Sequence, residues 1–190
     1  MKRPLVVVLA ALGLAIAAAS PSEAAKPAPT AKPVSTTKAV PAKPAPATNP
    51  PYTGHWTTQA VVYDATGGAN SFKVAEAVTE WSKSGWSVVT TTDPTRANIT
   101  VVAEDSTVDG AVGDATLVRS GTVITGCTVH LSPTFAGLNI GEHMAIHELG
   151  HCGGLPHSTS TKSVMYPTTN SNTMMTRPSA QDLRWMAGNL

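Results

Sequence analysis

Four side chains within one short stretch of this 190-residue chain could do chemistry: His147, Glu148, His151 and His157. His147 and His151 are four apart, so a helix puts both imidazoles on one face at successive turns, close enough to share a metal ion. Glu148 follows the first of them and stands beside the metal position without pointing at it as a ligand. A carboxylate so placed acts as a base toward a water at the metal. Gly154 lets the helix stop and the chain reverse, because glycine adopts the positive φ that such a turn needs. The reversal returns His157 as a third ligand. Three protein ligands leave a fourth position open, which separates a catalytic zinc site from a closed structural one. His143 prolongs the series to i, i+4 and i+8, but it lies a full turn further away and the third ligand is already supplied. It is expected to support the ligands or to face solvent.

These residues need a scaffold. The active-site helix is predicted from about residue 139 to 152. Ahead of it, β-branched and apolar runs predict strands at 59–64, 86–92 and 97–103. A helix over about 71–84 would bury Val74, Ala77, Val78 and Trp81 as one stripe, capped by Asn70 or Ser71 and ended by Gly85. Residues 111–118 could form a short edge strand. Alternation over 121–131 puts Val123, Thr125, Cys127, Val129 and Leu131 on one face, the expected core face, and Ile124, Thr128 and His130 on the other. After the site, Ser179 and Asp182 have capping-box spacing. Leu183, Met186, Ala187 and Leu190 then recur as the buried stripe of a closing helix.

The N-terminus reads as targeting rather than fold. Lys2 and Arg3 precede an apolar run of about fifteen residues and a small-residue cleavage site near Ala24, the pattern of a secretory signal peptide over 1–24. The run is short for a membrane span, which needs about 20 apolar residues. Residues 25–51 are nearly all Ala, Pro, Lys, Thr and Val, and read as a disordered linker that buries nothing. The linker carries four lysines and no acid. Residues 52–190, the expected catalytic domain, carry 7 Lys and Arg against 11 Asp and Glu. The basic arm allows a weak contact with an anionic cell surface or wall. The absence of a basic stripe with interleaved aromatics argues against nucleic acid as a partner.

The string His147-Glu148-Leu149-Gly150-His151, Gly154-Leu155 and His157-Ser158, followed by Ser163-Val164-Met165-Tyr166-Pro167, resembles the metzincin zinc signature and Met-turn in their matrixin form. The resemblance is strongest over 142–167 and looser over 52–190. It implies an α+β fold: a twisted, mixed sheet with two helices in an upper lobe, an irregular lower lobe ending in a C-terminal helix, and a zinc cleft between. It implies a monomeric, secreted zinc endopeptidase acting on peptide or protein. Glu148 would be its general base, Met165 a hydrophobic floor under the imidazoles, and Tyr166 and Pro167 the border of the substrate pocket. Residues 168–178 would surround that pocket, with Met174 and Met175 lining it or joining the core. Substrate would lie antiparallel to an edge strand. Matrixins often carry a second zinc held by several histidines; only His130 is available here, so that site is expected to be missing. Calcium has weak support, because Asp105, Asp109 and Asp114 fit no loop pattern and read as solvated.

Two other readings share the motif. One is a non-catalytic module that uses the cleft to hold peptide or wall polymer, although binding alone does not need Glu148. The other is an amidase acting on cell-wall peptides. The two cysteines, Cys127 and Cys152, are expected to pair and staple the helix to the sheet, as cysteines of exported chains do. No cysteine precedes Cys127, so the arm cannot block zinc through a thiolate.

Overall fold

The computed structural model describes residues 51–68, 71–108, 110–168 and 174–190. The expected signal peptide and all but the last residue of the expected linker lie outside them. Five strands form one mixed sheet: β1 (Ala60–Ala65), β2 (Val88–Thr91), β3 (Ile99–Val102), β4 (Gly113–Ser120) and β5 (Val123–Leu131). Their order is β2-β1-β3-β5-β4. All pairings are parallel except that of β4, which runs antiparallel to β5 and forms an edge. Helix α1 (Val74–Ser82) makes the crossover from β1 to β2, and α2 (Asn139–Cys152) follows β5. Helix α3 (Ala180–Ala187) closes the chain. The metzincin-like α+β architecture expected from the sequence is the one observed.

The core joins sheet residues Val62, Ile99, Val101, Val129 and Leu131 to Ile146 and Leu149 of α2. The stripe read from the sequence of α1, Val74, Ala77, Val78 and Trp81, is the stripe that is buried. The Trp81 indole also donates to the Ile146 carbonyl at 2.8 Å, which locks α1 to α2. Burying such an aromatic while satisfying its N–H is worth several kcal/mol, in the range of about 3–5 for loss to alanine.

Three expectations need correction. Helix α1 begins at Val74, with Lys73 in the left-handed region at φ 52 and no side-chain cap, and the Lys73 ammonium pairs with Glu142 of α2. In β5 the alternation breaks. Val118 pairs with Gly126 but Arg119 with Ile124, so Thr125 is skipped in a β-bulge. Ile124 therefore enters the core, at 1 % exposure, and Thr125 faces solvent. In α3 the capping box is present, but the buried residues are Asp182 and Met186, while Leu190 is 56 % exposed.

Cys127 of β5 and Cys152, the last residue of α2, form a disulfide with Cα atoms 5.7 Å apart at a sequence separation of 25. Closing a loop of that size removes roughly 3 kcal/mol of unfolded-state entropy in the chain model. Native protein should therefore show no alkylatable thiol without reductant, and reduction or Cys127→Ala/Cys152→Ala should lower stability by about 3 kcal/mol in denaturant titrations. Two reactive thiols in the native protein would exclude the bond.

Candidate metal centre

Helix α2 presents His147 and His151 on one face, and the chain reverses after it to bring His157 alongside. Their ring centroids lie 4.7–5.3 Å apart in the three pairs, and one ligand nitrogen from each lies within 4.8 Å of the others. His147 Nδ1 is 2.7 Å from the Val164 carbonyl, and His151 Nδ1 is 2.7 Å from the Leu155 carbonyl. A carbonyl oxygen only accepts, so each Nδ1 carries the proton and each neutral ring has a bare Nε2. Those two Nε2 atoms face each other at 3.1 Å. Two lone pairs at that distance repel unless a cation sits between them. Tetrahedral zinc with nitrogens at ~2.1 Å sets its ligands about 3.4 Å apart, so the donor set and its spacing fit zinc.

The electrostatics prepare the rings for a metal. Burial, and then the neighbouring His151, pushes the His147 pKa down to about 3, and burial pushes that of His151 down to about 4. His157, more open, is lowered by burial as well. All three rings are therefore neutral near pH 7, the form that binds metal. Glu148 is 7 % exposed, and burial, with Asp114 adding repulsion, raises its pKa to about 8.

The turn at Ser163–Tyr166 holds the site through its backbone. The Val164 carbonyl accepts from His147, the Met165 carbonyl accepts from the Ser158 N–H at 2.8 Å, and Tyr166 N–H closes the turn on Ser163. Asp182 fixes the turn in place. Its wholly buried carboxylate accepts from Ser163 Oγ at 2.5 Å, from the Val164 N–H at 3.1 Å and from the Ser179 N–H at 2.8 Å. Sequence reasoning assigned Asp182 only a cap. The signal for more was its position four residues before Met186, on the buried face. Met165 is fully buried against Gly150, where an added Cβ would collide with Met165 Sδ and crowd Trp81.

Gly154 has φ 93, as the reversal requires. It has a second reason to be glycine. Residues 52–56 cross the end of α2, and an added Cβ would strike the Gly54 carbonyl. This strap is tied by Thr53 N–H to the Gly154 carbonyl at 2.9 Å, by the Trp56 indole to the Cys152 carbonyl at 2.7 Å, and by Asn189 Nδ2 to the Gly54 carbonyl at 2.6 Å.

The matrixin family model matches residues 59–187. The chain belongs to the matrixin family. It is a matrixin zinc metalloendopeptidase, with zinc implied both by the family and by the histidine triad. A comparison with curated proteins finds no match. The disulfide fits the oxidising extracellular setting typical of matrixins. Among the described residues no helix is long and apolar enough to cross a membrane.

Other expected residues fall as follows. Pro167 lines a cavity of about 300 Å³ that also reaches His143, His147 and Glu148. Tyr166 is half-buried beside it in sequence. His143 does not face solvent. It is 1 % exposed, with Nδ1 within 3.0 Å of both backbone polar atoms of Met175, and burial lowers its pKa. Met175 is half-buried against the core, and much of the expected pocket loop, residues 169–173, lies outside the described residues. Asp114 is not solvated. It accepts from Thr107 N–H at 2.8 Å and meets His130 Nδ1 at 3.2 Å, while Asp105 accepts from Ser132 at 2.7 Å. Asp109 lies outside the described residues. The Asp114 and Asp105 bonds pin the loop that rims the cavity at Glu148 through Gly110, Ala111, Val112 and Gly113.

Gly150→Ala should overpack this centre, costing about 1–3 kcal/mol of stability and weakening zinc retention; denaturation and competitive zinc titration read both, and wild-type values for both would disprove the packing argument. The metal-free protein should also show the burial of Glu148 directly. With a folded pKa near 8 against an ordinary value of 4.5, this group's stability contribution is full below about pH 4.5 and is lost as pH rises through about 8. The stability of metal-free Glu148→Gln relative to wild type should therefore grow from pH 5 to pH 8. A pH-independent difference would contradict it.

Proposed function

We propose that this matrixin hydrolyses internal peptide bonds with Glu148 as general base and His147, His151 and His157 as the metal ligands. The observation that carries the reading is the buried Glu148 carboxyl set beside three neutral, converging imidazoles. Zinc, when bound there, supplies Lewis acidity toward the scissile carbonyl and lowers the pKa of water. Glu148 would then take the proton of the attacking water and hand it to the leaving amine; the charge of a bound metal favours the ionised carboxylate that this first step needs, against the burial that raises its pKa in the metal-free site. Met165, packed on Gly150 under α2, keeps the ligand helix at a fixed height.

The substrate lies along the free edge of β4, antiparallel to it, held by main-chain hydrogen bonds that are indifferent to side-chain identity. β4 starts against Glu148, since a methyl at Gly113 would come within 3.3 Å of its Oε1. The side chain after the scissile bond enters the cavity of about 300 Å³ lined by Pro167 and Thr168, with Tyr166 preceding them in the chain. The chain is exported by its signal peptide at 1–24, and the linker 25–51 tethers the 52–190 domain, with its lysines available to an anionic wall. Cell-wall peptides are then a substrate class within the same chemistry.

Glu148→Gln should retain one zinc per chain and the wild-type fold, and lose at least about a hundredfold in kcat on a mixed peptide library. Chelation should abolish cutting and lower Tm, because metal binds the native state preferentially. Undiminished turnover in the metal-replete variant would disprove the assignment.

A further inference from the structure

A cavity of about 810 Å³ opens at the far end of β4, walled by Ala115, Leu117 and Arg119 on one side and by the strap at Tyr52–His55 on the other. Thr53, Ala115 and Leu117 also wall a second cavity, of about 310 Å³, that reaches Glu148, His151 and His157. The two make one groove that runs from the metal centre to Arg119. Among the described residues, the larger cavity is lined by the Arg119 guanidinium and the His55 imidazole and by no carboxylate. This is unusual for a domain in which acids outnumber Lys and Arg by 11 to 7.

Arg119 is set up to read an anion. It forms no ion pair among the described residues. One of its N–H groups donates to the Thr53 carbonyl, which holds the guanidinium across the groove wall, and the rest of its donor fork has no partner among the described residues. The β5 bulge falls opposite the Val118–Arg119 step and adds local twist there. Direction follows from the strand. β4 begins at Glu148 and runs away from it, so an antiparallel peptide has its N-terminal part at the Arg119 end. At about 3.3 Å per residue, a guanidinium folded back to Thr53 stands beside the substrate residues roughly three to six positions before the cleaved bond.

We propose that Arg119 gives this protease a subsite for an acidic side chain, Asp or Glu, on the N-terminal side of the scissile bond. The inference rests on the placement of substrate along β4 given above. It also sets the substrate apart from the chain's own linker, which has four lysines and no acid over residues 25–51.

The test uses the zinc-loaded full-length chain and matched peptides that differ by Glu or Gln at each position from the third to the sixth before the cut. One position should favour Glu about three- to fivefold in kcat/KM, chiefly through KM, and the preference should shrink toward unity in 1 M salt, as an exposed charge pair requires. The Glu-to-Gln ratio should fall to about one in Arg119→Gln, and Arg119→Glu should favour a Lys peptide instead, a reversal that a purely structural role cannot produce. Equilibrium binding of the same peptides to zinc-loaded Glu148→Gln protein gives a readout free of turnover. Equal handling of Glu and Gln peptides at all four positions, or a Glu preference that survives Arg119→Gln, overturns the subsite. Cleavage without acid preference would sink the subsite and leave the endopeptidase mechanism standing; acid-selective binding without cleavage would do the opposite.

Discussion

Two bare imidazole nitrogens facing each other at 3.1 Å are held against their own repulsion, and much of the structure around them supplies the restraint. The proton on each ring is committed elsewhere, to Val164 and Leu155 carbonyls. Those carbonyls are themselves fixed. Leu155 is tied to Gly150 through its N–H at 3.1 Å, and Val164 is tied to Asp182 of α3. A buried, multiply hydrogen-bonded carboxylate is an expensive way to anchor a turn in an isolated fold. Its position makes sense when the turn it anchors decides which nitrogen of His147 is left bare. The C-terminal helix therefore acts on the tautomer of a residue 35 positions earlier in the sequence.

Two carboxyl groups of the cleft are pushed in opposite directions. Glu148, desolvated beside Asp114, is driven toward its protonated form. At Asp114 burial also opposes ionisation, but hydrogen bonds from Ser106 and Thr107 and the pairing with His130 outweigh it and hold the carboxyl below its usual range. One acid thus stays anionic and structural, clamping the rim, while the other is held toward its protonated form in the metal-free site. The difference lies in what each can bond to: Asp114 faces donors on its own strand and loop, whereas Glu148 looks into the space where metal and substrate meet.

The sequence was most legible where a periodic pattern and a chemical motif coincide. The bounds of α2, the ligand spacing and the buried stripe of α1 could all be read from residue types alone. The pairing of Cys127 with Cys152 was legible because two cysteines offer one intramolecular bond. What could not be read depends on partners distant in sequence. The bulge at Thr125 arises from a register mismatch with β4, which period-two alternation cannot register. Lys73 precedes α1 in an unfavourable backbone region, and its ion-pair partner, Glu142, is on another helix. Asp182 satisfies a local capping rule so well that its second role was masked. The strap at 52–56 has no periodicity at all; its geometry is dictated by Gly154, Cys152 and Asn189.

That strap has a mechanical consequence. A load on the chain ahead of residue 52 meets the strap, which Thr53 and Trp56 tie to the Gly154 and Cys152 carbonyls at the end of the ligand-bearing helix, and which His55 ties to Thr122 and Ile124 at the start of β5. Tyr52 and Gly54 share the load with the other end of the chain, through the Trp185 carbonyl and Asn189. The strap therefore joins the end of the ligand-bearing helix to the sheet, in parallel with the Cys127–Cys152 cross-link. Tension on such a domain is divided at the strap, between the helix that carries the metal ligands and the edge of the β-sheet.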